Sequence, residues 1–207
     1  MSDDERFNSY FYDGTTVLKN KLGILSSSEL SKEERKIAIE KMVLLYFCPI
    51  VNECNKEELL NLHKFIFGDV YDFAGSFRDV DVRKVEGGDP FVSYKNIDSY
   101  LGEELSYAHE RVKEIYSRGE YAWFLADFYN ALIVIHPFRE GNGRTIREFL
   151  REFVEAKNKY MNVSYELDFT MMDPDNLMNG TKNRLIYPGM LEREFDKALK
   201  IKNVKMR

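Results

Sequence analysis

Cysteine is nearly absent from this chain: only Cys48 and Cys54 occur, at a spacing that suits neither a disulfide framework nor a zinc site. Free thiols in a reducing compartment are the expected state. A run of about 18 apolar residues is also missing, which argues against a membrane-spanning helix. The N-terminal MSDDERFNSY is acidic and has no apolar signal region, so the expectation is a soluble, cytoplasmic protein with no membrane partner. Positive charge is not in excess. The formal net charge of −5 argues against direct nucleic-acid binding through general basicity and leaves room only for a local basic pocket. Repeats, low-complexity tracts and linker-like shifts in composition are absent too, so residues 1–207 read as one domain.

What the chain does contain is apolar and aromatic surface: 44% hydrophobic residues, with 15 Phe and 13 Tyr, enough for a substantial core. Helical spacing dominates, and the expected class is mainly α. Ser31 and Glu34 have capping-box spacing, predicting a helix from near Lys32. Asn55 and Glu58 offer the same start for KEELLNLHKFIF, with Gly68 placed to end it. Between Asn96 and Tyr116, the residues Ile97, Leu101, Leu105, Ala108, Val112 and Ile115 form one apolar stripe. YAWFLADFYNALIVI (121–135) is apolar nearly all round and reads as the central buried helix; an amphipathic helix carrying Ile146, Phe149, Leu150, Phe153 and Val154 follows. Asp173 with Pro174 predicts another helix start, and Leu191, Phe195 and Leu199 mark a last helix after Pro188 and Gly189. The one break in the pattern is the alternation of Val80 and Val82, with Val85 beyond, then Gly87, Gly88 and Pro90, which predicts a small β-hairpin or extended flap.

Between the two most apolar helices lies HPFREGNGRTIR (136–147), a mixture that a buried structural turn rarely needs, since each charge would have to be paired or solvated. A helix starting just after glycine offers unpaired amides and a positive dipole end, which attract phosphate oxygens. Gly141 and Gly143 allow close backbone approach, Asn142 can donate from its side chain, Arg144 can chelate, and Arg147 lies one turn on: an anion cradle. Glu140 beside it suits Mg²⁺, an ion that takes one or two carboxylates plus the substrate's own oxygens. His136 taken alone would be a helix-end dipole partner; beside the cradle it reads as the base for a hydroxyl attacking phosphorus. Phe138 reads as core, and no GxxxxGK[ST] loop occurs.

HPFREGNGRTIR resembles the Fic-family signature HPFx[D/E]GNGRxxR at every specified position, and the resemblance extends to FYDGTTVLKNKLGI and LHKFIFGDVYDFAGSFRDVDV. It implies a helical bundle with a β-hairpin flap over the site and transfer of AMP from ATP to a Tyr, Thr or Ser hydroxyl of a target protein. By that resemblance His136 is the general base and Glu140 holds Mg²⁺. Gly141, Asn142 and Gly143 cradle phosphate, while Arg144 and Arg147 orient the β- and γ-phosphates. The flap maps to about 84–95, where Lys84, Val85, Gly87, Gly88, Pro90, Phe91, Val92, Ser93 and Tyr94 would dock an extended target segment by backbone pairing. Simple relatives of this size modify ATPase subunits of type II topoisomerases on a tyrosine, sometimes as the toxin of a toxin–antitoxin pair. The inhibitory pattern [S/T]xxxE[G/N] of many relatives is not found here, so inhibition comes from a separate antitoxin-like protein or there is none. The alternatives to AMP transfer are a nucleotide-binding interaction module with little transfer activity, and a variant that transfers another phosphate-containing group.

Overall fold

The most apolar stretch of the chain becomes its axis. In the structure, a computed structural model that describes residues 2–82, 91–182 and 189–202, α5 (Arg118–Ile135) buries Tyr121, Phe124, Leu125, Phe128, Leu132 and Ile135. Each such side chain contributes roughly 1.5–3 kcal/mol on leaving water. A capping box starts the helix: the Ser117 hydroxyl accepts from the Glu120 amide, and the Glu120 carboxylate accepts from the Ser117 amide.

Around this axis pack α4 (Ile97–Arg111), α6 (Asn142–Lys157) and α8 (Met190–Ala198). The expected stripe of α4 is buried, and Val112 and Ile115 remain buried beyond its end, where the helix tightens into a 3-10 turn. The apolar residues of α6 all face inward. α3 (Lys56–Phe67) is capped by Asn55 and Glu58 and ends at Gly68, whose amide donates to the Lys64 carbonyl. It buries Leu59, Leu62, Ile66 and Phe67 against α6. α7 (Pro174–Lys182) starts with proline after Asp173, whose Oδ1 accepts from the Asp175 and Asn176 amides. Near the N-terminus, α1 (Asp3–Ser9) leads into Tyr10 and Phe11; the rings of Phe7, Tyr10 and Phe11 surround the Arg139 guanidinium at 5.1–5.3 Å, fastening this segment to the loop after α5.

Two expectations are corrected. α2 (Ser27–Phe47) begins earlier than Lys32, because Ser26, in extended conformation, is the cap and its hydroxyl accepts from the Glu29 amide. Ser31 therefore lies inside the helix, and Glu34 is buried rather than capping. Leu199 does not extend the last helix; it opens β2 (Leu199–Ile201), which pairs antiparallel with β1 (Tyr165–Leu167). This is the only two-stranded sheet among the described residues, and no strand forms at Phe91–Tyr94. Lys84, Val85, Gly87, Gly88, Pro90 and Pro188 lie outside the described residues. Cys48 and Cys54 are free thiols. Among the described residues no helix is long and apolar enough to cross a membrane.

Candidate active site

The loop between α5 and α6 is bounded by two left-handed residues, His136 (φ 49, ψ 61) and Gly141 (φ 79). At Gly141 only glycine fits twice over: the φ disfavours a Cβ, and an added Cβ would lie 2.4 Å from the Phe67 ring. Asn142 then staples the loop. Its Oδ1 accepts from the Phe138 amide at 2.9 Å and its Nδ2 donates to the Phe138 carbonyl at 2.7 Å, so both ends of the side chain are committed to backbone. What Asn142 has left to offer an anion is its backbone amide.

From α3, His63 braces the same loop. It is fully buried, stacks on Phe138 at 3.8 Å, accepts from the Gly75 amide through Nδ1 and donates through Nε2 to the Glu140 carbonyl at 3.0 Å. Burial lowers its pKa to about 4, so it is a neutral imidazole with one tautomer fixed by its partners.

α6 starts without a side-chain cap and without an acidic residue in its first turn, and its ladder begins with the Thr145 amide donating to the Gly141 carbonyl. The amides ahead of it and the positive dipole end form a site for an anion. An added Cβ on Gly143 would come within 3.3 Å of the Arg147 guanidinium, so glycine leaves that guanidinium its room.

The working side chains divide between two recesses. His136 and Arg147 line one cleft of about 640 Å³, walled by Tyr129, Ile133, Phe169, Met172 and Leu177. Such a cleft, apolar with a few polar groups, has the character of a small-molecule site. Burial raises the Tyr129 pKa on the cleft wall, and the positive charge of Arg147 works against that rise. The His136 ring stacks under Phe91 at 3.7 Å, and its Nδ1 lies 3.3 Å from the Ile133 carbonyl. A carbonyl only accepts, so Nδ1 carries the proton and the lone pair of neutral His136 sits on Nε2.

Glu140 and Arg144 line a second recess of about 270 Å³ with Thr16, Glu34 and Tyr71. Arg144 lies over the Phe67 ring, with its Nη2 2.5 Å from Glu34 Oε1 and 3.6 Å from Glu140 Oε1. Tyr71 donates to the other Glu34 oxygen. Burial first, then Glu34, pushes the Tyr71 pKa up, which keeps the hydroxyl a donor. Glu34, far from the motif in sequence, therefore reaches it through Arg144. Glu140 is half-exposed, with one oxygen accepting from the Gly141 amide, and no group of three or more metal-ligating side chains gathers among the described residues. That donor set fits a cation such as Mg²⁺, which takes most of its ligands from water and phosphate.

Sequence reasoning missed His63, Glu34 with Tyr71, and Tyr129. His63 acts on a backbone carbonyl and a backbone amide remote in the chain, and its only sequence signal is a polar residue on an otherwise buried helix face.

A model of the Fic/DOC family matches residues 53–154. The protein adenylyltransferase VbhT of Bartonella schoenbuchensis is 34% identical over 140 residues, covering 66% of this chain and 28% of VbhT, so the chain spans little more than a quarter of that relative. The probable protein adenylyltransferase y4lH of Sinorhizobium fredii is 31% identical over 179 residues, covering 81% of this chain and 83% of y4lH. Among solved structures, the N-terminal Fic domain of a putative cell filamentation protein from Bartonella quintana, with bound ADP, shares the fold at a TM-score of 0.83 and 22% identity, covering 95% of this chain and 96% of that one. BepC of Bartonella tribocorum, with bound AMPPNP, gives a TM-score of 0.79 at 22% identity, covering 94% and 98%. A filled signature on a matching helical frame, with a relative of nearly equal span, has one reading: the chain belongs to the Fic/DOC family.

Proposed function

We propose that this protein is a protein adenylyltransferase that moves AMP from ATP to a side-chain hydroxyl of a target protein and releases pyrophosphate. The observation that carries the reading is the shared cleft: an imidazole with its lone pair on Nε2 and the Arg147 guanidinium line one apolar recess beside the uncapped start of α6. The names of VbhT and y4lH support it, as do the nucleotides bound by the neighbouring folds.

In this reading the nucleoside lies against Tyr129, Ile133 and Phe169, and the phosphates run toward the amides of Asn142 and Gly143. The target hydroxyl gives its proton to His136 Nε2, its oxygen bonds to the α-phosphorus, and the bond from that phosphorus to the pyrophosphate oxygen breaks. The α6 amides and Arg147 meet the charge that grows on the departing pyrophosphate, while Arg144 remains anchored to Glu34. Glu140 would hold Mg²⁺, which when bound neutralises phosphate charge. The target segment lies along Phe91–Tyr94, next to His136. The first target class to assay is the ATPase subunit of a type II topoisomerase, modified on tyrosine in the cytoplasm, with this chain as a toxin restrained by a separate antitoxin.

The test is purified protein, Mg²⁺ and a bacterial lysate with ATP labelled at either the α- or the γ-phosphate, with His136→Ala as control. Label from the α-position only, lost in the variant, is expected. Label from the γ-position would make the protein a kinase and overturn the reading.

A further inference from the structure

Arg78 lies outside HPFREGNGRTIR, yet its side chain is fully buried and bonds to backbone on both sides of His136. Its Nε donates to the His136 carbonyl at 2.8 Å, and Nη2 donates to the Ile135 carbonyl at 3.3 Å and also to the Val92 carbonyl. Nη1 donates to the Val80 carbonyl at 2.7 Å and lies 3.6 Å from Asp81 Oδ1. Four of the five guanidinium N–H groups thus donate to carbonyls, and the charge of the fork faces Asp81. The Arg78 amide itself donates to the Pro137 carbonyl at 2.9 Å, so the peptides on both sides of His136 end on this one residue.

The other partners belong to Val80–Asp81 and Phe91–Tyr94. Asp81 accepts from the Tyr94 amide at 2.8 Å and from the Ser93 hydroxyl at 3.3 Å, and the Val92 amide donates to the Val134 carbonyl at 3.1 Å. Phe91 lies flat on the His136 ring. His136 itself is one of two non-glycine residues with positive φ among the described residues. A left-handed conformation persists only where its surroundings over-determine it, and here the carbonyl that reports ψ of His136 is held by Arg78.

We infer that Arg78, with Asp81 as its outer partner, is a positioning residue for transfer: it locks the His136 backbone and the Phe91–Tyr94 edge into one frame, so that the base and a hydroxyl docked on that edge keep a fixed separation. This rests on the proposed roles of His136 and of that edge. Lysine cannot replace the function, because a single ammonium cannot span carbonyls that lie on opposite sides of a planar fork.

The experiment compares wild type, His136→Ala, Arg78→Lys and Asp81→Ala for melting temperature, affinity for a non-hydrolysable ATP analogue, and kcat for labelling of the target. For Arg78→Lys the expected result is a kcat lower by about tenfold to a hundredfold, the size of an ångström-scale misplacement, with nucleotide affinity within about twofold of wild type. A folded Arg78→Lys protein with wild-type kcat overturns the inference. Should that variant fail to fold, Asp81→Ala decides, because its side chain is exposed and its loss leaves the core intact. A kcat about threefold to tenfold lower at unchanged melting temperature and nucleotide affinity supports the brace, and an unchanged kcat overturns it. Wild-type protein that labels nothing, or His136→Ala that still labels, refutes the underlying function and the inference with it. Full activity in both brace variants beside a dead His136→Ala refutes the inference alone.

Discussion

Within HPFREGNGRTIR the residues fall into two sets that do different work. Pro137, Phe138, Gly141, Asn142, Thr145 and Ile146 are buried, while His136, Glu140, Gly143, Arg144 and Arg147 keep part of their surface at the recesses. The buried set makes a shape: Phe138 under His63, Asn142 hooked to Phe138, Gly141 against Phe67. The partly exposed set keeps polar groups at the surface, with Arg144 held there by Glu34. The difference teaches that a signature can be filled at every position while only about half of those positions keep surface that a ligand could reach. The others pack and hydrogen-bond within the loop.

The division can be broken most sharply from the chemical side. His136→Ala is expected to lower transfer by about 10²–10⁴-fold while leaving the melting temperature and nucleotide affinity close to wild type, read by labelling, thermal unfolding and calorimetric titration. A large loss of stability would move His136 into the structural set.

Next in size is a pH effect that belongs to the scaffold. The folded pKa of His63 is depressed to about 4 by burial, so the unfolded chain takes up a proton on His63 that the folded chain refuses. Its contribution is present above about pH 6.5 and is lost as pH falls toward 4, by roughly 3 kcal/mol if the whole shift is realised. Urea unfolding at about pH 7 and about pH 4 should show that decline in wild type. A His63→Leu protein, less stable at neutral pH, should lack this part of the decline; an equal slope in both would remove His63 from the account.

The smallest effect sharpens the comparison at a single residue. Asn142→Ala leaves the buried Phe138 amide without its acceptor and should cost about 1–3 kcal/mol of stability, with nucleotide affinity falling only as the loop loosens. If the variant were as stable as wild type and bound ATP far more weakly, Asn142 would belong among the phosphate ligands after all.

How far the sequence reached follows the same division. Apolar spacing located α3, α4, α5 and α6, because one-sided or all-round burial leaves a periodic trace. The motif was readable because its chemistry is packed into twelve consecutive residues. Hidden were the groups whose partners are distant: Glu34 looked like a cap among several nearby serines, and only the fold brings it to Arg144. Arg78 and His63 bond to backbone carbonyls and amides, which carry no side-chain identity to recognise. The strands β1 and β2, three residues each, are too short for alternation to speak. Asn142 reads as a phosphate donor because an amide side chain can donate to phosphate or to backbone alike, and its bonds to Phe138 are visible only in the fold.

The central claim is that the loop transfers an adenylyl group, and the most direct measurement is the intact mass of the labelled target, followed by fragmentation to locate the adduct. The account predicts a gain of one adenylate residue on a single hydroxyl side chain, absent with His136→Ala. A gain of one phosphate, or a target that copurifies with the protein at unchanged mass, would contradict it.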